Sequence, residues 1–121
     1  MNEIEALNRA LKRAGQTITL RKVTGTTSQT FTDVVCRAVV RGYSPNELIG
    51  GIVQNDSFVI LSPTEINTAV WPTAQGAGPD VRIPSRNRGD LVIINGRSRT
   101  VQAGIGYYVQ DALVRIEMQV R

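Results

Sequence analysis

Five arginines crowd positions 82 to 99 (Arg82, Arg86, Arg88, Arg97 and Arg99), with Asp90 the one acid among them. A guanidinium is planar, permanently charged and able to grip a phosphate or a carboxylate with two parallel hydrogen bonds. Two chemistries follow. The cluster can face nucleic-acid phosphates, whose contacts give affinity without reading bases, or it can form a salt-bridged subunit seam or a solvated surface. The aromatic interleaving of a single-strand platform is missing. Tyr107 and Tyr108 are adjacent, and neighbouring strand residues point to opposite faces, so both cannot stack on one ligand.

Other chemistry is thinly provided. Histidine is absent, which removes the usual general base and the usual metal ligand. Cys36 is the only cysteine, so no intrachain disulfide can form. Its neighbours at strand spacing, Val34, Ala38 and Val40, place it among small apolar residues as a buried structural thiol. Asp56, Asp80, Asp90 and Asp111 sit at turns without metal-ligand spacing. Gly104-Ile105-Gly106 lacks the third glycine of a dinucleotide loop and reads as a bend. Arg88-Gly89-Asp90 reads as a turn before a strand rather than an adhesion motif. No catalytic pair can be nominated, no cofactor is implied, and the chain is expected not to be an enzyme.

With 121 residues, 41% hydrophobic and 20% charged, the chain has the bulk of one globular domain with one core. Aromatics are only 5%, so that core must rest on Val, Ile and Leu. No apolar run approaches the roughly 18 residues that would span a membrane, and no charged-then-apolar leader begins the sequence, so the protein is expected to stay in the cytoplasm where it is made. The net charge of +4 comes almost wholly from arginine, since Lys12 and Lys22 are the only lysines.

The elements that must position these residues read as follows. Asn2 to Ala14 carries Ile4, Leu7, Leu11 and Ala14 at helical spacing, with Glu3 and Glu5 at the start, Lys12 and Arg13 at the end and Gly15 to stop it. Its stripe is read as packing on the sheet of its own subunit, with docking on a partner as the alternative. Gln16 to Val23, Thr32 to Arg41 and Ser57 to Leu61 read as strands. Ser62-Pro63-Thr64-Glu65 opens a single helical turn through Asn67. Leu91 to Ile94, the Asn95-Gly96 turn and Arg97 to Gln102 form a hairpin. After the glycine break, Ala112 to Arg121 alternates strictly, with Ala112, Val114, Ile116, Met118 and Val120 on one face. Two long loops remain, 42–54 and 68–89. The fold expected is mainly β, a small antiparallel barrel or sandwich with one N-terminal helix, filling residues 1–121 as one domain.

This succession resembles the small head–tail joining proteins of tailed bacteriophages, the head-completion or stopper family to which the phage lambda joining protein belongs. The residues that carry the likeness are the helix NEIEALNRALKRAG, the strand TITLRKV and the valine-rich strand running into a Pro-Asn loop, VVCRAVVRGYSPNELIGG. They continue with DSFVILSPTEI, the Gly-Asp hairpin RGDLVIINGRSRTVQ and the last strand ALVRIEMQVR. The segment from Thr68 to Arg88 is longer than its counterpart in the lambda protein. The resemblance implies a homo-oligomeric ring, sixfold or twelvefold, in the neck of a virion or gene-transfer agent assembled in the bacterial cytoplasm. A portal or adaptor protein would lie on its head side, a tail terminator or tail tube protein on its tail side, and packaged double-stranded DNA in its channel.

On that reading Tyr43, Leu48, Ile49 and Trp71 are the expected subunit or partner contacts. Arg82, Arg86, Arg88, Arg97 and Arg99 are the expected channel or partner contacts. Replacing Arg82, Arg86 and Arg88 together is expected to block joining while leaving the fold intact. The alternatives are a tail terminator or tail-completion ring, and a monomeric OB-like nucleic-acid-binding barrel.

Overall fold

A computed structural model describes residues 3–23, 31–42, 55–74, 78–86 and 88–121. Tyr43, Leu48 and Ile49 lie outside the described residues. Helix α1 (Glu3–Ala14) leads into strands β1 (Gln16–Val23), β2 (Phe31–Gly42) and β3 (Ser57–Leu61). Helix α2 (Thr64–Ala69) and an irregular strap follow, and then β4 (Leu91–Ile94), β5 (Arg97–Val109) and β6 (Ala112–Val120).

The strands close an antiparallel six-stranded barrel in the order β1-β2-β3-β6-β5-β4. Two three-stranded meanders are thus joined first strand to first and last strand to last, with Thr19 opposite Ile93 at one seam and Val59 opposite Met118 at the other. Closure follows from pattern. Ile18 and Leu20, Cys36 and Ala38, Val92 and Ile94, and Ile116, Met118 and Val120 recur at spacing two and all turn inward, where each is at most 5% exposed. This confirms the mainly β expectation and decides for a barrel over a sandwich.

The β5-β6 ladder shifts register at two places, at Gln102 between Val101 and Ala103, and between Tyr107 and Tyr108. Tyr107 pairs with Arg115 but Tyr108 pairs with Leu113, so Val114 is the extra residue of a bulge. Leu113 is therefore turned into the core and Ala112 out to solvent, the reverse of the expected faces. The glycine break is also absent, because β5 runs unbroken through Gly104 and Gly106. Both turns of the β4-β5-β6 meander are tight pairs of positive φ: Asn95 (52°) with Gly96 (78°), and Gln110 (51°) with Asp111 (66°).

Helix α1 rests on β2 and β6 and buries Leu11. Gly15 is obligatory where the helix turns into β1, since a Cβ there would sit 2.5 Å from the Leu11 carbonyl oxygen and 2.9 Å from that of Ala38. Arg37 reaches from β2 to that helix end and donates to the carbonyl of Gly15 at 2.6 Å and to those of Leu11 and Lys12 at 3.4 Å. It thereby satisfies carbonyls that a helix terminus leaves unpaired. Helix α2 runs two residues further than expected. Ser62 Oγ accepts from the Thr64 backbone N–H at 3.2 Å, and Val70 ends the helix in the left-handed region at φ 52°.

Candidate interaction surface

The strap from Gly78 to Asp90 holds three of the five clustered arginines, and two of them are committed inside it. Asp80 accepts from the Arg82 backbone N–H at 3.0 Å, from Arg82 Nε at 2.9 Å and Nη2 at 2.7 Å, and from the Tyr108 hydroxyl at 2.8 Å. The remaining Arg82 nitrogen donates to Asn67 Oδ1. Those arginine hydrogen bonds hold the Asp80 carboxyl down to about 2, against the opposing effect of its partial burial.

Arg88 serves the other end of the strap. The Asp90 side chain is wholly buried, and its Oδ2 accepts from Arg88 Nη2 at 2.6 Å, Arg88 Nε at 2.9 Å and the Ser85 N–H at 2.9 Å. Arg88 also donates to the carbonyls of Val81 and Ile83. Arg99, on β5, donates to Ser57 Oγ and to the Asn55 carbonyl, both at 2.7 Å. Arg82, Arg88 and Arg99 are thus internal staples rather than free cations. The expectation that the Arg82, Arg86 and Arg88 triple replacement leaves the fold intact is corrected, because it would strip the partner from a buried Asp90. Arg86 and Arg97 are exposed and have neither an acid nor a hydrogen-bond partner among the described residues.

Trp71 is a second correction. It is 2% exposed, and its indole Nε1 donates to the Thr32 carbonyl at 2.9 Å. The left-handed Val70 turns the chain inward after α2, so Trp71 and Ile66 plug the barrel end instead of meeting a partner. Cys36 lies in the core as expected, and burial, then the nearby Glu65 carboxylate, push its thiol up to about 12.

The exposed apolar surface lies elsewhere. Ile105 (56%), Tyr107 (45%), Tyr108 (48%) and Val109 (41%) are four of the seven large hydrophobic residues left exposed among those described, and they fall within five positions of one strand. Pairing explains why they stand out. β4 leaves β5 at Thr100, and β3 leaves β6 at Ile116, so the outer half of the β5-β6 hairpin projects from the barrel as a two-stranded ribbon. The two tyrosines use opposite faces: Tyr107 donates to Glu117 on β6, and Tyr108 to Asp80 on the strap.

One face of the ribbon is held by the strap. A Cβ at Gly104 would lie 2.2 Å from the Pro84 carbonyl oxygen, and one at Gly106 would lie 2.5 Å from Ile83 Cδ1. The two glycines therefore mark a seat for Ile83 and Pro84, not a bend. A cleft of about 770 Å³ opens between the strap and β5, with Val81, Pro84, Arg86, Ala103 and Tyr108 among its walls. A second, of about 570 Å³, lies between the ribbon and the first half of α1, walled by Ala6, Leu7, Tyr107, Val109 and Val114. The exposed hydrophobics carried the signal for this surface in the sequence, but reading Gly104 and Gly106 as a break concealed it.

No protein-family model matches the chain, and no curated protein matches it in sequence.

Proposed function

We propose that this chain is a structural subunit of the head–tail connector of a tailed phage or phage-like particle, working as a ring between the DNA-filled head and the tail. The observation that supports this reading is the order of parts. A helix, a strand, a valine-rich strand, a strand ending in a short capped helix, a Gly-Asp hairpin and a last strand follow one another as in the head–tail joining family, on a barrel of the kind the resemblance implies. The use of side chains agrees with a mechanical role. The buried carboxylates Asp56 and Asp90 are taken up by arginines that pin loops to the barrel. The apolar surface stands on a projecting ribbon, where one rigid body can meet another.

In this role the ring closes the filled head against the portal or adaptor and offers the tail its docking surface. The monomeric nucleic-acid barrel draws less support, since three of its five candidate arginines already have partners within the chain. The test is deletion of the gene from the particle that encodes it, followed by electron microscopy of the lysate. DNA-filled heads and separate finished tails, rejoined by adding the purified protein, are the expected result. Tails of uncontrolled length would assign it to the tail terminator instead, and normal joined particles would refute both.

A further inference from the structure

The strap and β5 run past each other in opposite directions. Tyr108 donates to Asp80, Ile83 lies over Gly106, the Pro84 carbonyl lies over Gly104, and the Asp90 carbonyl accepts from the Val101 N–H. The missing Cβ of a strand glycine marks a face of the sheet and not its edge, so the strap rests on one face of the ribbon. It stays out of the ladder. From Gln102 to Val109 the backbone of β5 is paired with β6 alone among the described residues. Alternate residues of this stretch therefore turn an N–H and a C=O away from β6 with no backbone partner.

The cleft of about 770 Å³ follows that edge. Its β5 wall includes both Ala103 and Gly104. These neighbours point to opposite faces, and only an edge presents both. The stretch from Gln102 to Tyr108 offers roughly 20 Å of strand. Val81, Ile83 and Pro84 give the cleft an apolar wall on the strap side, and Ile105 and Tyr107 stand exposed on the other face. No charge and no proline guards the strand between Gln102 and Val109. The charges stand at its two ends. Exposed Arg86 lines the cleft towards Val101, whereas Asp80 beside Tyr108 and exposed Asp111 at the ribbon tip mark the far end.

We propose that this cleft takes an extended segment of a partner protein, which adds to β5 as an antiparallel strand. The walls state its chemistry. Donors and acceptors spaced along a strand edge are matched by another extended backbone, and not by a helix or a nucleic acid. Antiparallel pairing is the stronger ladder, and it sets the end of the segment beside Arg86 and its start beside Asp111. The segment is thus apolar in its middle, with a carboxylate at its C-terminal end and a basic residue at its N-terminal end. This goes beyond the connector reading and does not depend on it.

The test titrates the full chain with a labelled peptide, capped at both ends, of sequence Lys-Val-Thr-Val-Thr-Val-Glu-Glu. Saturable binding is expected, with slowed hydrogen exchange at the backbone amides of residues 102–109. N-methylation throughout the peptide removes its backbone donors, and Arg86→Glu reverses the charge at the carboxylate end. Each should weaken binding at least about tenfold. Arg97→Glu makes the same change of net charge at an exposed site outside the cleft walls and should leave binding as it was. Both variants should unfold at the same urea concentration as the parent chain. Absence of binding up to about 1 mM peptide overturns the proposal. So does binding that survives N-methylation, or that Arg97→Glu weakens as much as Arg86→Glu. Protection of 102–109 that rises with protein concentration alone would give the edge to a second copy. A short oligonucleotide that binds through Arg86 where the peptide does not would give the cleft to nucleic acid. Both results overturn the proposal, and gene deletion decides the connector reading separately.

Discussion

Replacing Gly104 and Gly106 by alanine, one at a time, tests whether the strap is seated on the ribbon. In an open strand either change would stabilise the protein by roughly 0.5–1 kcal/mol, because glycine loses more backbone freedom on folding. Here each new methyl group meets an obstacle, and the obstacles differ. At Gly106 the neighbours are Ile83 Cδ1 at 2.5 Å and Leu113 Cδ1 at 2.9 Å, both ends of side chains that can swing aside. At Gly104 the nearest obstacle is the backbone oxygen of Pro84 at 2.2 Å, with Ile83 Cγ2 a looser neighbour at 3.2 Å. That oxygen moves only if the strap moves, and the strap is pinned through Arg88 to Asp90 and through Asp80 to Tyr108. Overpacking costs about 1–3 kcal/mol, so Gly104→Ala should lose about 2 kcal/mol net and Gly106→Ala between about 0 and 1 kcal/mol. Urea unfolding at constant slope measures both. Adding Ile83→Ala supplies the control. It should relieve Gly106→Ala with a coupling of about 1 kcal/mol and Gly104→Ala by less than half of that, since the Pro84 oxygen stays in place. Stabilisation by both alanines, or equal losses that Ile83→Ala does not separate, would mean that the strap does not lie where the two glycines leave room for it.

Three further outcomes follow from the same contacts. Arg88→Ala should destabilise by about 3 kcal/mol in urea because it abandons a buried carboxylate, whereas exposed Arg86→Ala should stay within about 0.5 kcal/mol; equal effects would refute the division into staple and free cation. Asp80 has its folded pKa lowered to about 2 from an ordinary 3.8, so its contribution is present above the unfolded value and is lost as pH falls from near 4 towards 2. Asp80→Asn should flatten thermal stability across that window, and an unchanged pH profile would contradict the Arg82 pairing. Val70 sits at φ 52° with 55% of its surface exposed, so Val70→Gly should raise stability by about 1 kcal/mol in urea, with little packing lost; a loss would show that the valine side chain is itself holding the turn.

Much of the barrel was legible because period-two burial leaves a direct mark. Ile18 with Leu20, Cys36 with Ala38, and Ile116 with Met118 could only face inward together, and Asn95-Gly96 fixes a two-residue hairpin by its φ requirement. The second hairpin turn was not legible, since Gln110-Asp111 takes positive φ without a glycine, held there by the pairing of Val109 with Ala112. The bulge at Val114 was equally silent, because one added residue changes faces without changing composition. Trp71 was misread because a tryptophan beside a proline in an irregular segment looks like an exposed anchor. Its fate was set by the left-handed Val70 and by the Thr32 carbonyl, which lies far away in sequence. The arginines were visible as residues but not as partners: Asp80 and Asp90 stand two positions from Arg82 and Arg88, close enough to claim them within one loop.

The placement of charge follows from the barrel's closure. Backbone hydrogen bonds join every strand into one ring of strands, so the barrel needs no neighbour to complete its sheet. What it must still secure are the connections that cross its ends, and a chain with 5% aromatics has little apolar bulk with which to do so. Arginine does that work here. Arg37 ties α1 to β2, Arg88 ties the strap to Asp90, Arg99 ties β5 to the start of β3, and Arg121 reaches the buried Asp56. Each planar fork satisfies several oxygens at once, which a lysine could not do. The consequence is a division of labour between charged and apolar residues that inverts the usual surface. The arginines, which look like the surface's binding groups, are largely consumed in holding the molecule rigid, and the residues left over for contact are the uncharged ones of the ribbon.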